Sequence, residues 1–164
     1  IVEATAAMMQ RLYGSDARRT VCAKGRLALS SLRQRGLETS PRAHTVLSLV
    51  YTWTRTNLGD DHEETLEAAA NLVDAYRWAN TLALAKALCR RTWSARRRVS
   101  GENHLLTLEC RCCLAEILVD QENQEEAREI HAGLLPLVTR VLGPDHRLAR
   151  RVGSLRVFTP DSHS

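Results

Sequence analysis

Gly59-Asp60-Asp61-His62-Glu63-Glu64-Thr65-Leu66 decides the fold of this chain, because it returns as Gly101-Glu102-Asn103-His104-Leu105-Leu106-Thr107-Leu108 and, shortened, as Gly143-Pro144-Asp145-His146. The spacing is 42 residues each time. A more degenerate copy, Gly14-Ser15-Asp16-Ala17-Arg18-Arg19-Thr20-Val21, precedes Gly59 by 45 residues, which fits an extra turn or loop insertion in the first unit. A fixed period of this length marks a solenoid: one unit cannot bury its apolar face alone, and stacking buries it. Such arrays present extended surfaces, so the repeat points to recognition before any single residue is read.

Of the 164 residues 44% are hydrophobic, enough for a continuous core. Aromatic residues make up only 4%, while Leu and Ala dominate, which favours packed helices over strands. The formal charge of +4 is carried almost wholly by Arg, since Lys occurs only at Lys24 and Lys86, and acidic residues are interleaved with the basic ones. That balance does not demand a nucleic-acid partner. The five cysteines, Cys22, Cys89, Cys110, Cys112 and Cys113, lack the spacing of a disulfide framework and point to a reducing compartment, hence the cytoplasm. No apolar run is long enough to span a bilayer, so no membrane contact is expected. A chain that starts at Ile1 reads as an excerpt or processed form of something longer.

Apolar residues at helical spacing predict two helices per unit, over 62–77 and 81–99, then 104–119 and 124–141; the first unit reads as 17–35 and 42–57, with Gly36 and Pro41 bounding its loop. The fold class is therefore all-α: an α-α superhelix of antiparallel helix pairs. A single solenoid domain is expected over 1–158, with a partial helix at 1–13, repeats at 14–58, 59–100 and 101–142, a terminal helix at 143–158, and a tail at 159–164. Gly101 and Gly143 follow helix ends, where φ > 0 stops a helix, and Asp61, Asn103 and Asp145 sit where the next N-cap is needed. His62, His104 and His146 share one slot and read as packing or capping residues at the junctions. Ala43, Ala85 and Ala127, with Leu72 and Leu114, fall in equivalent slots and are expected in the core. Gly133 and Pro136 predict a kink or widened turn at 132–136. At the ends, Val2, Ala6, Met9 and Leu12, and Leu148, Val152, Leu155 and Phe158, form apolar stripes with no neighbour to cover them, so self-association through exposed solenoid ends is expected.

The residues Leu58-Gly59-Asp60-Asp61-His62, Thr65-Leu66, Asn71-Leu72 and Tyr76, and Leu142-Gly143-Pro144-Asp145-His146 after Glu125-Glu126-Ala127, resemble the 42-residue tetratricopeptide repeats of kinesin light chains and of signalling proteins with the same repeat type. The resemblance covers about residues 14–158 and implies a non-enzymatic protein-interaction module, the sensor or scaffold part of a larger signalling protein. Of the Asn pair such repeats carry on the first helix, Asn71 remains; Cys112-Cys113 and Gly25-Arg26 stand in the equivalent places. First helices of this repeat type line a concave groove. That lining comprises Glu67, Ala70, Asn71, Asp74, Arg77 and Trp78, then Glu109, Cys112, Cys113, Glu116 and Asp120. Trp78 supplies an aromatic anchor, Asn71 an amide for a peptide backbone, and the acidic residues a charge complement for a basic protein or peptide partner.

No Gly-rich phosphate loop, G-x-S-x-G elbow or H-E-x-x-H occurs, so no catalytic residue and no cofactor are expected. Cys110-Arg111-Cys112-Cys113, with His104 and His131, is the nearest approach to a metal site. Adjacent cysteines on a helix cannot close a tetrahedral zinc shell, so these read as buried small apolar residues and no metal is expected. Arg90, Arg91, Arg96, Arg97 and Arg98 form the densest basic cluster, with Trp93 among them at a position the register assigns to the core. A solvated outer face is the favoured reading of the arginines, and a nucleic-acid-associated module the alternative.

Overall fold

The computed structural model describes residues 41–157, with side chains from residue 44. The helix expected at 17–35, the segment 1–13, the side chain of Ala43, and Phe158 lie outside the described residues. Within them run six α-helices and no strand: α1 Pro41–Leu58, α2 Glu63–Trp78, α3 Leu82–Ser100, α4 Leu105–Asp120, α5 Gln124–Leu142 and α6 Arg147–Gly153. The chain divides into two compact units, Ile1–Leu88 and Cys89–Ser164, and the division falls inside α3.

In the first unit α1 packs along α2. Leu47 of α1 closes on Leu72 and Ala75 of α2, with Val46, Tyr51, Tyr76, Trp78 and Leu88 around them, while Val50 and Trp53 meet Ala68. Burying one Leu side chain fully is worth about 1.5–3 kcal/mol, several times a typical difference in helix propensity, so the apolar stripe rather than local preference fixes these helices. In the second unit α4 and α5 form a hairpin and α6 lies on both. Its core joins Leu108 and Cys112 of α4, Leu134 and Val138 of α5, and Leu148, Ala149 and Val152 of α6. Ala85, Ala127, Leu72 and Leu114 are all buried, as the register requires.

Two kinds of turn alternate. Between repeats, Gly59, Gly101 and Gly143 sit at φ of +93°, +86° and +90°, and each glycine N–H closes on the carbonyl four residues back. Then comes a correction to the expected caps: His62, His104 and His146, not Asp61, Asn103 and Asp145, cap α2, α4 and α6. Each Nδ1 accepts the backbone N–H two residues on, at 3.2, 3.4 and 3.1 Å. The acidic or amide residue falls one place too early because residues 60–61, 102–103 and 144–145 are occupied by the turn itself. Within repeats, Asn80 and Glu122 adopt φ of +54° and +59°. Thr81 N–H bonds the Tyr76 carbonyl and Asn80 N–H that of Arg77; Asn123 and Glu122 repeat this on Leu118 and Val119. Both turns are Schellman motifs.

Two further expectations change. α5 runs as unbroken α-helix through Pro136, so of the kink or widened turn expected at 132–136 the widened turn does not form. An exposed proline there leaves only one carbonyl without its helical donor, and packing of Leu134 and Val138 holds the helix on both sides. The terminal helix stops at Gly153 rather than running through 143–158, because Ser154 caps it, returning its N–H to Arg150. Leu148 and Val152 face inward and are buried rather than forming an uncovered apolar end, and His131 Nε2 donates to the Val152 carbonyl at 3.1 Å.

Candidate interaction surface

On α2 the residues Thr65, Leu66, Ala68, Ala69, Leu72, Val73 and Ala75 are buried. Glu67, Asn71, Asp74 and Trp78, spaced by four, three and four, are left as one half-buried strip, with Ala70 and Arg77 alongside. The sequence-derived set in the first unit is therefore brought together on one helix face. Trp78 serves the fold as well, since it packs against the cluster of Leu47, Leu72 and Ala75. Tyr76, beside it, packs against His44 with ring centroids 5.1 Å apart and ring planes tilted by 58°, and burial, then the neighbouring Tyr51, raise its phenol above the ordinary value.

In the second unit the equivalent strip on α4 carries Glu109, Cys113 and Glu116, with Asp120 exposed at the helix end. Cys112, expected in the lining, is fully buried instead and belongs to the core with Leu108 and Leu134. The two glutamates are engaged by α6. Arg147 Nη2 donates to Glu109 Oε1 at 3.0 Å, and Arg151 forks onto Glu116 through Nε at 2.5 Å and Nη2 at 2.7 Å. The Glu116 side chain is only 13% exposed, and its hydrogen bond to Arg151 raises the hold of that guanidinium on its proton. Sequence reasoning missed these partners. The signal was the Arg147–Arg151 spacing of four, one period after Leu105 and Glu109, which puts two cations where the previous repeat has an apolar and an acidic residue.

The thiols are held neutral. Burial, aided by the Glu116 charge, pushes the Cys112 thiol up to about 12, and its Sγ donates to Glu116 Oε1 at 3.8 Å. Burial pushes the Cys110 thiol up to about 11, opposed by the charge of Arg96 and a hydrogen bond from it. No cluster of three metal-ligating side chains occurs among the described residues.

The basic cluster is not one solvated face. Arg96 is 3% exposed and turned towards Cys110, which corrects the outer-face reading at that position. Arg90 pairs with Glu126 of α5, and Arg97 lies over the half-buried Trp93 ring at 5.6 Å. Consecutive residues of a helix point about 100° apart, so the runs Arg90-Arg91 and Arg96-Arg97-Arg98 cannot share one side, and the one falling on the core face is carried inward.

The tetratricopeptide repeat family profile matches residues 65–105 and 107–148, two consecutive units that together span half of the chain. The chain belongs to the tetratricopeptide repeat family, whose repeats generally mediate protein–protein interaction or scaffolding. Among curated proteins none matches it. No helix among the described residues is long and apolar enough to cross a membrane.

Proposed function

We propose that this chain is a non-enzymatic, kinesin-light-chain-like repeat module that binds a peptide or protein segment of basic character along the first helices of its repeats. It would act in the cytoplasm as the sensor or scaffold part of a larger signalling protein, with residues 1–158 forming one solenoid and its N-terminal end available for self-association. The observation that carries the reading is the half-buried strip Glu67, Asn71, Asp74 and Trp78, which lies along one face of α2 beside its buried core residues. A strip of this kind offers two carboxylates, an amide that both donates and accepts, and an aromatic face already fixed by packing, so little ordering entropy is lost on binding. Glu109, Glu116, Asp120 and Arg77 extend the same role.

The test is fluorescence anisotropy of the whole chain with labelled peptides of graded Lys and Arg content, alongside a single-stranded oligonucleotide. Basic peptides are expected to bind and to lose at least tenfold in affinity on Asp74→Lys. Binding indifferent to Glu67→Lys and Asp74→Lys would overturn the reading. Steeply salt-dependent binding of the oligonucleotide, lost on replacing Arg90, Arg91 and Arg98, would favour the nucleic-acid alternative.

A further inference from the structure

Between α4 and α5 the second unit has a cleft of about 470 Å³, within the roughly 300–1,000 Å³ of ordinary ligand pockets. Arg111 of α4 and Arg140 of α5 stand on its wall, with Asn103 of the preceding loop. Its apolar part is Pro136 and Leu137. Arg111 is placed with care: its side chain is only 18% exposed, and a Cβ on Gly133 would lie 2.8 Å from its Nη2. The guanidinium thus rests on the α5 backbone at the one residue of that turn with no side chain. Its carboxylate neighbour, Glu102, is 3.8 Å away, too far for a hydrogen bond. Arg140 has neither ion pair nor hydrogen-bonded side-chain partner among the described residues. Arg111 is thus only loosely held by Glu102 and Arg140 has no carboxylate partner among the described residues, so the cleft is short of negative charge.

We propose that this cleft is a second binding site, distinct from the α2 strip, for a side-chain carboxylate of an extended acidic peptide. The carboxylate sits between Arg111 and Arg140, whose donor forks match it, and an apolar residue beside it packs on Pro136 and Leu137. A partly buried guanidinium held in place before binding loses little freedom when it pairs, and the partly enclosed wall weakens screening by water. The apolar neighbour is part of the recognition, because Pro136 and Leu137 line the cleft together with the two arginines. This site takes a charge opposite to that drawn to Glu67 and Asp74, and it shares no residue with the α2 strip.

The experiment is an amide chemical-shift titration of the isotopically labelled 164-residue chain. The probes are acetyl-Ala-Leu-Glu-Leu-Ala-amide, its Gln analogue, the Gln analogue with a free C-terminal carboxylate, and inorganic phosphate. The Glu peptide is expected to shift resonances of 101–103 and 133–140 saturably and to bind at least tenfold more tightly than the other three probes. Arg140→Gln, at an exposed position, is expected to weaken it at least fivefold. Gly133→Ala, which keeps both charges but displaces the Arg111 guanidinium, is expected to do the same. Equal binding of the Gln analogue, of phosphate or of the free C-terminal carboxylate would overturn the proposal, as would full affinity in Arg140→Gln. Glu67→Lys and Asp74→Lys should leave this titration unchanged, so failure here and failure of the α2 strip are separable.

Discussion

At the three junctions a histidine performs the task usually given to Asp, Asn or Ser. An imidazole can cap a helix only through an unprotonated nitrogen, so in each ring Nδ1 is the acceptor and Nε2 carries the hydrogen. His104→Ala should destabilise the chain by about 1 kcal/mol, seen as a lower urea midpoint with unchanged slope, and His104→Asn should recover most of it. The sequence placed the histidines at the junction correctly but gave the cap to the wrong neighbour, because composition alone does not tell whether two or three residues build the turn. The same limit hid Arg96, whose burial depends on which face of α3 meets Cys110 rather than on the arginine run it belongs to. Cys112 shows what burial does to a titratable group. Its folded value of about 12 lies above the ordinary 9.0, so the unfolded chain loses the proton first as pH rises. Stability is then intact below about pH 9 and falls as pH climbs towards 12. Urea melts at pH 8 and pH 10.5 should show this loss, and Cys112→Ala should reduce it.

At the scale of elements, helix positions were legible because the apolar period repeats with the 42-residue unit, and α1 to α5 begin and end within a residue or two of expectation. The terminal helix was not, since its apolar spacing continues to Phe158 while Gly153 and Ser154 end it. Ala85 is fully buried on α3, so Ala85→Leu has no space to enter. It should lower stability by about 1–3 kcal/mol in a thermal melt. Glu122 offers the opposite sign. It is exposed and holds φ of +59° in the α4–α5 turn, a conformation that glycine adopts without the clash a Cβ brings. Glu122→Gly should raise the unfolding free energy by roughly 0.5–1 kcal/mol. Asn80 in the equivalent turn already tolerates that conformation, and Asn80→Gly should gain less.

For the molecule as a whole, the sequence disclosed a repeat family far better than a binding face. An acidic groove was read from Glu109 and Glu116, yet their partners stand 38 and 35 residues further on, and only the register of the next repeat, not the helix that carries the glutamates, points to Arg147 and Arg151. The α2 strip was legible because its exposure follows from one helix alone. The cleft by Gly133 was not, since it depends on a glycine in α5 making room for an arginine from α4. The Gly-x-x-His junction carries a different lesson. Its three copies carry Asp, Glu and Pro at the first middle position and Asp, Asn and Asp at the second, yet the glycine φ values agree within a few degrees and the histidines hold ψ of 138°, 138° and 141°. The loop is therefore an interchangeable part, and the copy containing Pro144 serves as a template for the others. Asp60→Pro removes an exposed pairing with Arg55 worth little, while fixing φ where the third copy already tolerates proline. Combined with Glu102→Pro, each change should add roughly 0.4–1 kcal/mol, read as a higher melting temperature. An engineer assembling longer arrays could then cut and join chains at these four residues, treating each junction as a standard coupling whose fit does not depend on which repeats it connects.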